Sequence, residues 1–280
     1  MLRNLEEVFF PDTLDDVVAK RQEYGEAAAP IAGGTDIVPE APLGIKCLID
    51  LTRLGLSYIQ ESNGCVRVGA TTTMQELSHS PLVASLGTGI LNSSCSNGWP
   101  RQVRNAATIG GNLVTAGPFA DTPPALLALD AKAIIVDQNG EREIPMSEFF
   151  TDYRQTAVGY GILKEVVIPR STSRGVFLRF SRSEIDTCLV NLAVTVELEQ
   201  GRCKRVRIAL GAMGRTCRRF VQAEDCLLDQ ALTPETVARA AELVTEMAEP
   251  VLDFRASADY RRDIAGVLVS RALNELARAS

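Results

Sequence analysis

Two short segments of one form constrain this chain more than anything else in it. The first is Ile31-Ala32-Gly33-Gly34-Thr35-Asp36. The second is Thr108-Ile109-Gly110-Gly111-Asn112, which follows Ala106-Ala107 and runs out to Asp121-Thr122-Pro123-Pro124. Each has an apolar approach, paired glycines, a small polar residue and a carboxylate near. Glycine lets backbone N–H groups approach a ligand with no Cβ in the way. Successive N–H groups in such bends make anion-binding concavities. Residues 31–36 and 106–123 hold no Lys or Arg. A phosphate bound there must therefore be held by main-chain and hydroxyl donors. A lone Gly-Gly is usually only a turn. Two of them, each trailed by Thr or Asn and an Asp, point to a ligand.

Other nucleotide-binding devices fit less well. A dinucleotide fingerprint needs Gly-x-Gly-x-x-Gly between a strand and a helix. The nearest match, Gly87-Thr88-Gly89, lacks the third glycine. No Gly-x-x-x-x-Gly-Lys loop exists. His79 is the only histidine, which excludes a histidine-rich metal site, and it reads as a surface residue at the end of a capped helix. The seven cysteines, Cys47, Cys65, Cys95, Cys188, Cys203, Cys217 and Cys226, contain no Cys-x-x-Cys. They read as scattered reduced thiols rather than zinc or iron–sulfur ligands. A net charge of −6 argues against nucleic acid and anionic membranes as partners. No run approaches the ~18 apolar residues of a membrane span. The N-terminus, with Arg3, Glu6, Glu7 and Asp12, has no apolar signal core, so the expected location is the cytoplasm.

Periodicity and capping signals sketch the elements. Thr13 to Tyr24 reads as a helix with Thr13 as N-cap and Asp16 as capping-box partner. Ala27 to Ile31 reads as a strand, with Pro30 assigning it to an edge or a late start. Ile45 to Leu51 and Cys65 to Gly69 read as further strands. Thr73-Met74-Gln75-Glu76 opens a helix, and Leu82 to about Asn92 continues helically. Thr122 is expected to cap a brief helix with Pro123 at its first position. Asn139-Gly140 between Ala133–Asp137 and Glu141–Ile144 signals a hairpin. Residues 169–175 look like a joint. Beyond it, Leu192 to Leu198 and Val206 to Leu210 alternate about Gln200-Gly201 as a second hairpin. Two helices follow, capped by Thr233 and by Ser257, the last with Tyr260, Ile264, Val267, Leu268 and Leu276 facing inward. Trp99 before Pro100 reads as packing. Arg101, Arg104, Arg261 and Arg262 read as solvated or ion-paired. The residues by themselves thus describe a two-domain α+β protein that binds a phosphate-bearing cofactor.

Five segments together go further. They are residues 31–36, Gln102-Val103-Arg104-Asn105, residues 107–112, Asp121 with Pro124 to Leu129, and Arg255-Ala256-Ser257-Ala258-Asp259-Tyr260-Arg261-Arg262. In register over nearly the whole chain, they resemble the FAD-binding medium subunits of molybdenum hydroxylases of the xanthine dehydrogenase and carbon monoxide dehydrogenase type. The resemblance implies a vanillyl-alcohol-oxidase-type (PCMH-type) FAD-binding domain of two lobes over residues 1–170. A C-terminal α+β flavoprotein domain then covers 175–280. It implies noncovalent FAD with its pyrophosphate on both Gly-Gly bends. Ala29, Pro30, Ile31, Ala32, Gly33, Gly34, Thr35 and Asp36 match one cofactor-binding segment, and Thr108, Ile109, Gly110, Gly111 and Asn112 the other. Asp121 matches a cofactor-binding carboxylate, Leu163 an apolar lining position and Arg179 a basic residue near the cofactor.

Three departures stand out: Arg179 where the family commonly has Lys, a segment Phe180 to Cys188 one residue short, and Pro30 in place of an aliphatic residue. The implied function is electron transfer as an oxidoreductase subunit. A molybdenum-binding large subunit would oxidise the substrate. A small subunit carrying 2Fe–2S clusters would deliver electrons to FAD here, and NAD or another acceptor would take them. Two readings of other classes stand beside it: a non-catalytic accessory or assembly protein that keeps the fold, and a stand-alone FAD oxidoreductase.

Overall fold

The computed structural model describes residues 2–278. Its first sheet has three short strands. Cys47–Asp50 lies in the middle, parallel to Glu7–Phe9 on one side and to Ala28–Ile31 on the other. Ala28–Ile31 is an edge strand, as Pro30 requires, since proline cannot donate to a second ladder. The central strand buries Cys47, Leu48 and Ile49 in succession rather than alternating. A parallel strand covered on both faces loses the inside–outside pattern. The helix Leu14–Tyr24 covers it with Val17 and Val18, and Thr13 and Asp16 form the expected capping box.

The second sheet has five antiparallel strands in the order Ile59–Ser62, Cys65–Gly69, Ile162–Pro169, Lys132–Asp137, Gly140–Pro145. The last two are the hairpin about Asn139-Gly140. Four helices, Met74–His79, Ile90–Ser96, Ile109–Thr115 and Thr122–Ala128, bury Met74, Leu77, Leu91, Ile109, Leu113 and Leu126 against it.

Two local expectations are corrected here. The helix expected from Leu82 to Asn92 is broken into Pro81–Ala84 and Ile90–Ser96, with Thr88 at φ 54° between them. The break has a tertiary cause. The Thr88 hydroxyl donates to the Gly175 carbonyl at 2.6 Å and accepts from the Gly175 amide at 2.9 Å, docking the kink on the third sheet. The second concerns Thr122, which does not cap. The N-cap is Asp121, and the Thr122 hydroxyl donates to Asn112 Oδ1 at 2.6 Å.

The third sheet is a meander of Arg174–Phe180, Val190–Glu199, Arg202–Gly211 and Arg218–Arg219. Gln200 and Gly201 both have positive φ, the conformation a two-residue hairpin turn needs. The helices Pro234–Met247 and Ala258–Arg278 cover it. In the last helix the buried stripe is Arg261, Ala265, Leu268, Val269, Ala272, Leu273 and Leu276. Tyr260 and Val267 are exposed, so the inward face is rotated from the one expected. Arg261 starts that stripe and is fully buried, not solvated. It donates to Asp253 Oδ1 at 2.7 Å and to the Leu189 carbonyl.

Without Arg261, Asp253 keeps Arg255 as its partner at 2.8 Å but the Leu189 carbonyl loses its buried donor, and a buried acceptor left unsatisfied costs about 1–3 kcal/mol. Arg261→Ala is accordingly expected to lower the free energy of denaturant unfolding by that order. An unchanged unfolding midpoint would show that the Arg261 bonds do not hold the last helix in place.

Candidate functional site

The edge strand Ala28–Ile31 delivers the first glycine segment into a cleft between the first two sheets. After Ile31 the chain bends and enters a single helical turn, Ile37–Glu40. Among the described residues, the amides of Ala32, Gly33, Gly34, Thr35, Asp36 and Ile37 donate to no protein acceptor. Asp36, the N-cap of the short helix, does not cap it. Its carboxylate instead accepts from the Thr115 hydroxyl of the other lobe at 3.2 Å, with Arg154 4.0 Å away. The result is a run of unspent donors facing a cleft of about 450 Å³, a volume within the usual range for ligand sites.

The second glycine segment is not a bend. Thr108 caps the helix Ile109–Thr115, so Gly110 and Gly111 lie in its first turn. The donors of that turn are already committed. Ile109 N–H bonds to Thr72 O, Gly110 N–H to Ala70 O, Gly111 N–H to Thr108 Oγ1 and Asn112 N–H to Thr108 O, at 2.9–3.1 Å. The two segments are therefore alike in sequence and unlike in chemistry. The first offers main-chain donors; the second forms a wall.

The wall must stand close. A Cβ on Gly33 would lie 1.7 Å from the Ala106 carbonyl oxygen, so the first loop touches the second segment backbone to backbone. Gly110 is pressed in the same way against the Ala70 carbonyl.

The cleft gathers Ala29, Pro30, Ile31, Ala32, Gly33, Gly34, Thr35, Asp36, Thr108, Gly110, Gly111, Asn112 and Leu163 along one surface. Ile109 is turned into the core and is fully buried. Asp121 and Arg179 are not part of this lining. They pair with each other at 3.2 Å, their side chains 6% and 8% exposed, between the second lobe and the third sheet. Asn191 Nδ2 donates to Asp121 at 2.7 Å, and Arg179 also holds Ser181 and the Asp186 carbonyl. Burial pushes the Asp121 carboxyl above its ordinary value, against the pull of Arg179 and Asn191.

Two lining residues outside the expected site carry a buried, unpartnered side-chain nitrogen. Arg21 reaches the cleft from the first helix. It donates to the carbonyls of Gly159 at 3.0 Å and Gly161 at 3.4 Å, while its buried Nε has no partner. Its spacing of four from Val17 puts it on the buried helix face, which is the signal that would have found it. The other is Trp99, whose buried Nε1 also has no partner. Arg104, expected to be solvated or ion-paired, instead donates to the carbonyls of Ser96 and Trp99.

These features fit a dinucleotide cofactor. Unspent amides suit a diphosphate, and Ile31, Val103 and Leu163 supply apolar walls.

Comparison with known proteins agrees. Residues 3–171 match the family described as the FAD binding domain in molybdopterin dehydrogenase, and residues 176–276 the CO dehydrogenase flavoprotein C-terminal domain. The chain belongs to the FAD-binding subunits of the molybdenum hydroxylases. It is 33% identical over 279 residues to the alpha subunit of the 6-hydroxypseudooxynicotine dehydrogenase complex of Paenarthrobacter nicotinovorans, covering 94% of each chain. It is 30% identical over 272 residues to the carbon monoxide dehydrogenase medium chain of Hydrogenophaga pseudoflava, again covering 94% of each. The solved carbon monoxide dehydrogenase of that organism superposes with a TM-score of 0.93 over 98% of both chains. Quinoline 2-oxidoreductase from Pseudomonas putida 86 superposes at 0.90, with 29% identity over 100% of this chain and 99% of that one. The fold is thus a PCMH-type FAD-binding domain with a C-terminal flavoprotein domain, and the cofactor is FAD.

Gly33→Ala sets a methyl against the Ala106 carbonyl. The lobes must then part, at a cost of about 1–3 kcal/mol for an overpacked contact. The variant is expected to elute from gel filtration without stoichiometric flavin. Retention of flavin at the wild-type ratio would show that the close approach is not needed.

Proposed function

We propose that this subunit relays electrons from 2Fe–2S clusters on a small partner subunit to NAD or another soluble acceptor. A molybdenum-binding large subunit oxidises the substrate, for which an N-heterocycle is the favoured class. The observation that carries this reading is the open amide loop of residues 32–37, facing a cleft in a chain that matches FAD subunits along nearly all its length. FAD, when bound, supplies the ability to take up and give out electrons singly or in pairs.

The roles left to this chain are binding and positioning. Amides of residues 32–37 would hold the diphosphate; backbone donors in a bend do this without a cationic side chain. Leu163, Ile31 and Val103 would exclude water from the rings. Asp36, bonded to Thr115 across the cleft, would tie the loop to the opposite wall.

The cysteines support the division of labour. They are dispersed, and cluster ligation needs thiolates. Burial pushes the thiol of Cys203 up to about 11 and those of Cys95 and Cys217 up to about 12. The relatives support it through their names: one is a subunit of a dehydrogenase complex, another a nicotinate dehydrogenase FAD-subunit of Eubacterium barkeri.

The purified chain should show flavin absorbance and no stoichiometric iron. In the assembled complex under anaerobic conditions, NADH should bleach that absorbance by running the last step in reverse. Iron–sulfur signal in the isolated chain would refute the proposed division. Flavin bleached by substrate but not by NADH would remove NAD as the acceptor.

A further inference from the structure

The loop that leaves its amides open also carries carboxylates. Asp36 lies within it and Glu40 ends the short helix that follows, and both line the cleft. Among the described residues of that lining, the only other charged side chain is Arg21, which is engaged with the carbonyls of Gly159 and Gly161. A diphosphate resting on the amides therefore meets two charges of its own sign, and like charges at such range repel.

Their counter-charge comes from far along the chain. Arg154 stands in the turn between the short strands Phe150–Asp152 and Gln155–Thr156, with φ 54°. Both of its Nη atoms donate to the Glu40 carboxylate, Nη1 at 3.1 Å, and Nη2 lies 4.0 Å from Asp36 Oδ1. This bond holds the Glu40 carboxyl below its ordinary value, so it stays charged. The turn is itself anchored, because Arg215 Nε of the third sheet's domain donates to Asp152 at 2.5 Å. Half-exposed ion pairs of this kind contribute little to folding. What Arg154 does change is the charge of the loop. With Asp36, Glu40 and Arg154 together the local charge is −1; without Arg154 it is −2.

We propose that Arg154 is a cofactor-positioning residue that acts through charge. By pairing with Glu40 and standing beside Asp36, it offsets their repulsion and lets the amide loop accept the FAD diphosphate. It is not part of the cleft lining and acts through the two carboxylates. This rests on the cleft being the FAD site.

The test measures FAD affinity of the flavin-stripped full chain in four forms: wild type, Arg154→Gln, Glu40→Gln and the double variant. A charge role and a plain tether predict different patterns. A tether is cut equally by either single change, and the second change adds nothing. An offset of charge makes Arg154→Gln bind FAD about fivefold more weakly at low salt, with the deficit shrinking at about 1 M salt, where the screening length is ~3 Å. Glu40→Gln should bind FAD at least as tightly as wild type, and in the double variant it should restore most of the loss. Unfolding midpoints of the apo chains should not move. If Arg154→Gln fails to fold, Glu40→Gln decides alone. Weaker FAD binding by Glu40→Gln, or wild-type affinity in a folded Arg154→Gln, overturns the proposal and leaves the cleft intact. A wild-type chain that binds no FAD at all overturns both.

Discussion

The structure depends on a contact that no side chain makes. The backbone of Gly33 lies against the carbonyl of Ala106, bringing the edge of the parallel sheet onto the wall of the antiparallel one. The cleft exists because two lobes meet there without a Cβ between them. Thr115 and Asp36 add a hydrogen bond across the same seam. The lobes are otherwise built differently. One is a small parallel sheet with Val17 and Val18 beneath it, the other a five-stranded antiparallel sheet under a layer of helices. The first core also takes in Val136 and Ile162 of the second sheet, which packs the lobes together beside the seam where a ligand can enter.

The donors at that seam divide by local geometry. The loop before the short helix Ile37–Glu40 leaves its own amides unpaired, and that of Ile37 joins them because the first N–H groups of a helix have no partner within it. The longer helix from Ile109 begins with the same deficit but is docked against Ala70 and Thr72, and Thr108 caps what remains. One glycine pair therefore offers a site for an anion. The other uses its missing side chains to pack. Arg179 and Asp121 sit further out, locked to each other where the second lobe meets the third sheet.

Much of this was legible in the sequence. Capping boxes at Thr13 and Thr73, the Asn139-Gly140 hairpin and the edge placement of Pro30 all rest on local chemistry that tertiary structure left alone. Both glycine segments were visible, and the structure brings them together. Their difference was not visible, because it depends on what the helix start of residue 109 docks against. The same holds for Arg21, Trp99 and Arg261. Arg21 and Arg261 bond to the carbonyls of Gly159 and Leu189, far off in the chain, and the place of Trp99 on the cleft depends on tertiary packing. Thr88 belongs with them, since its left-handed backbone is set by Gly175, a residue of the third sheet.

The central claim is that the first loop alone supplies main-chain donors to the diphosphate. Residue-resolved hydrogen exchange of the chain with and without FAD tests it most directly. The amides of Gly33, Gly34, Thr35, Asp36 and Ile37 should exchange fast in the apo chain and slow markedly when FAD binds, while those of Ile109 to Asn112 stay protected in both states. Loop amides that remain fast with FAD bound, or protection that changes at Ile109 to Asn112 instead, would contradict the account.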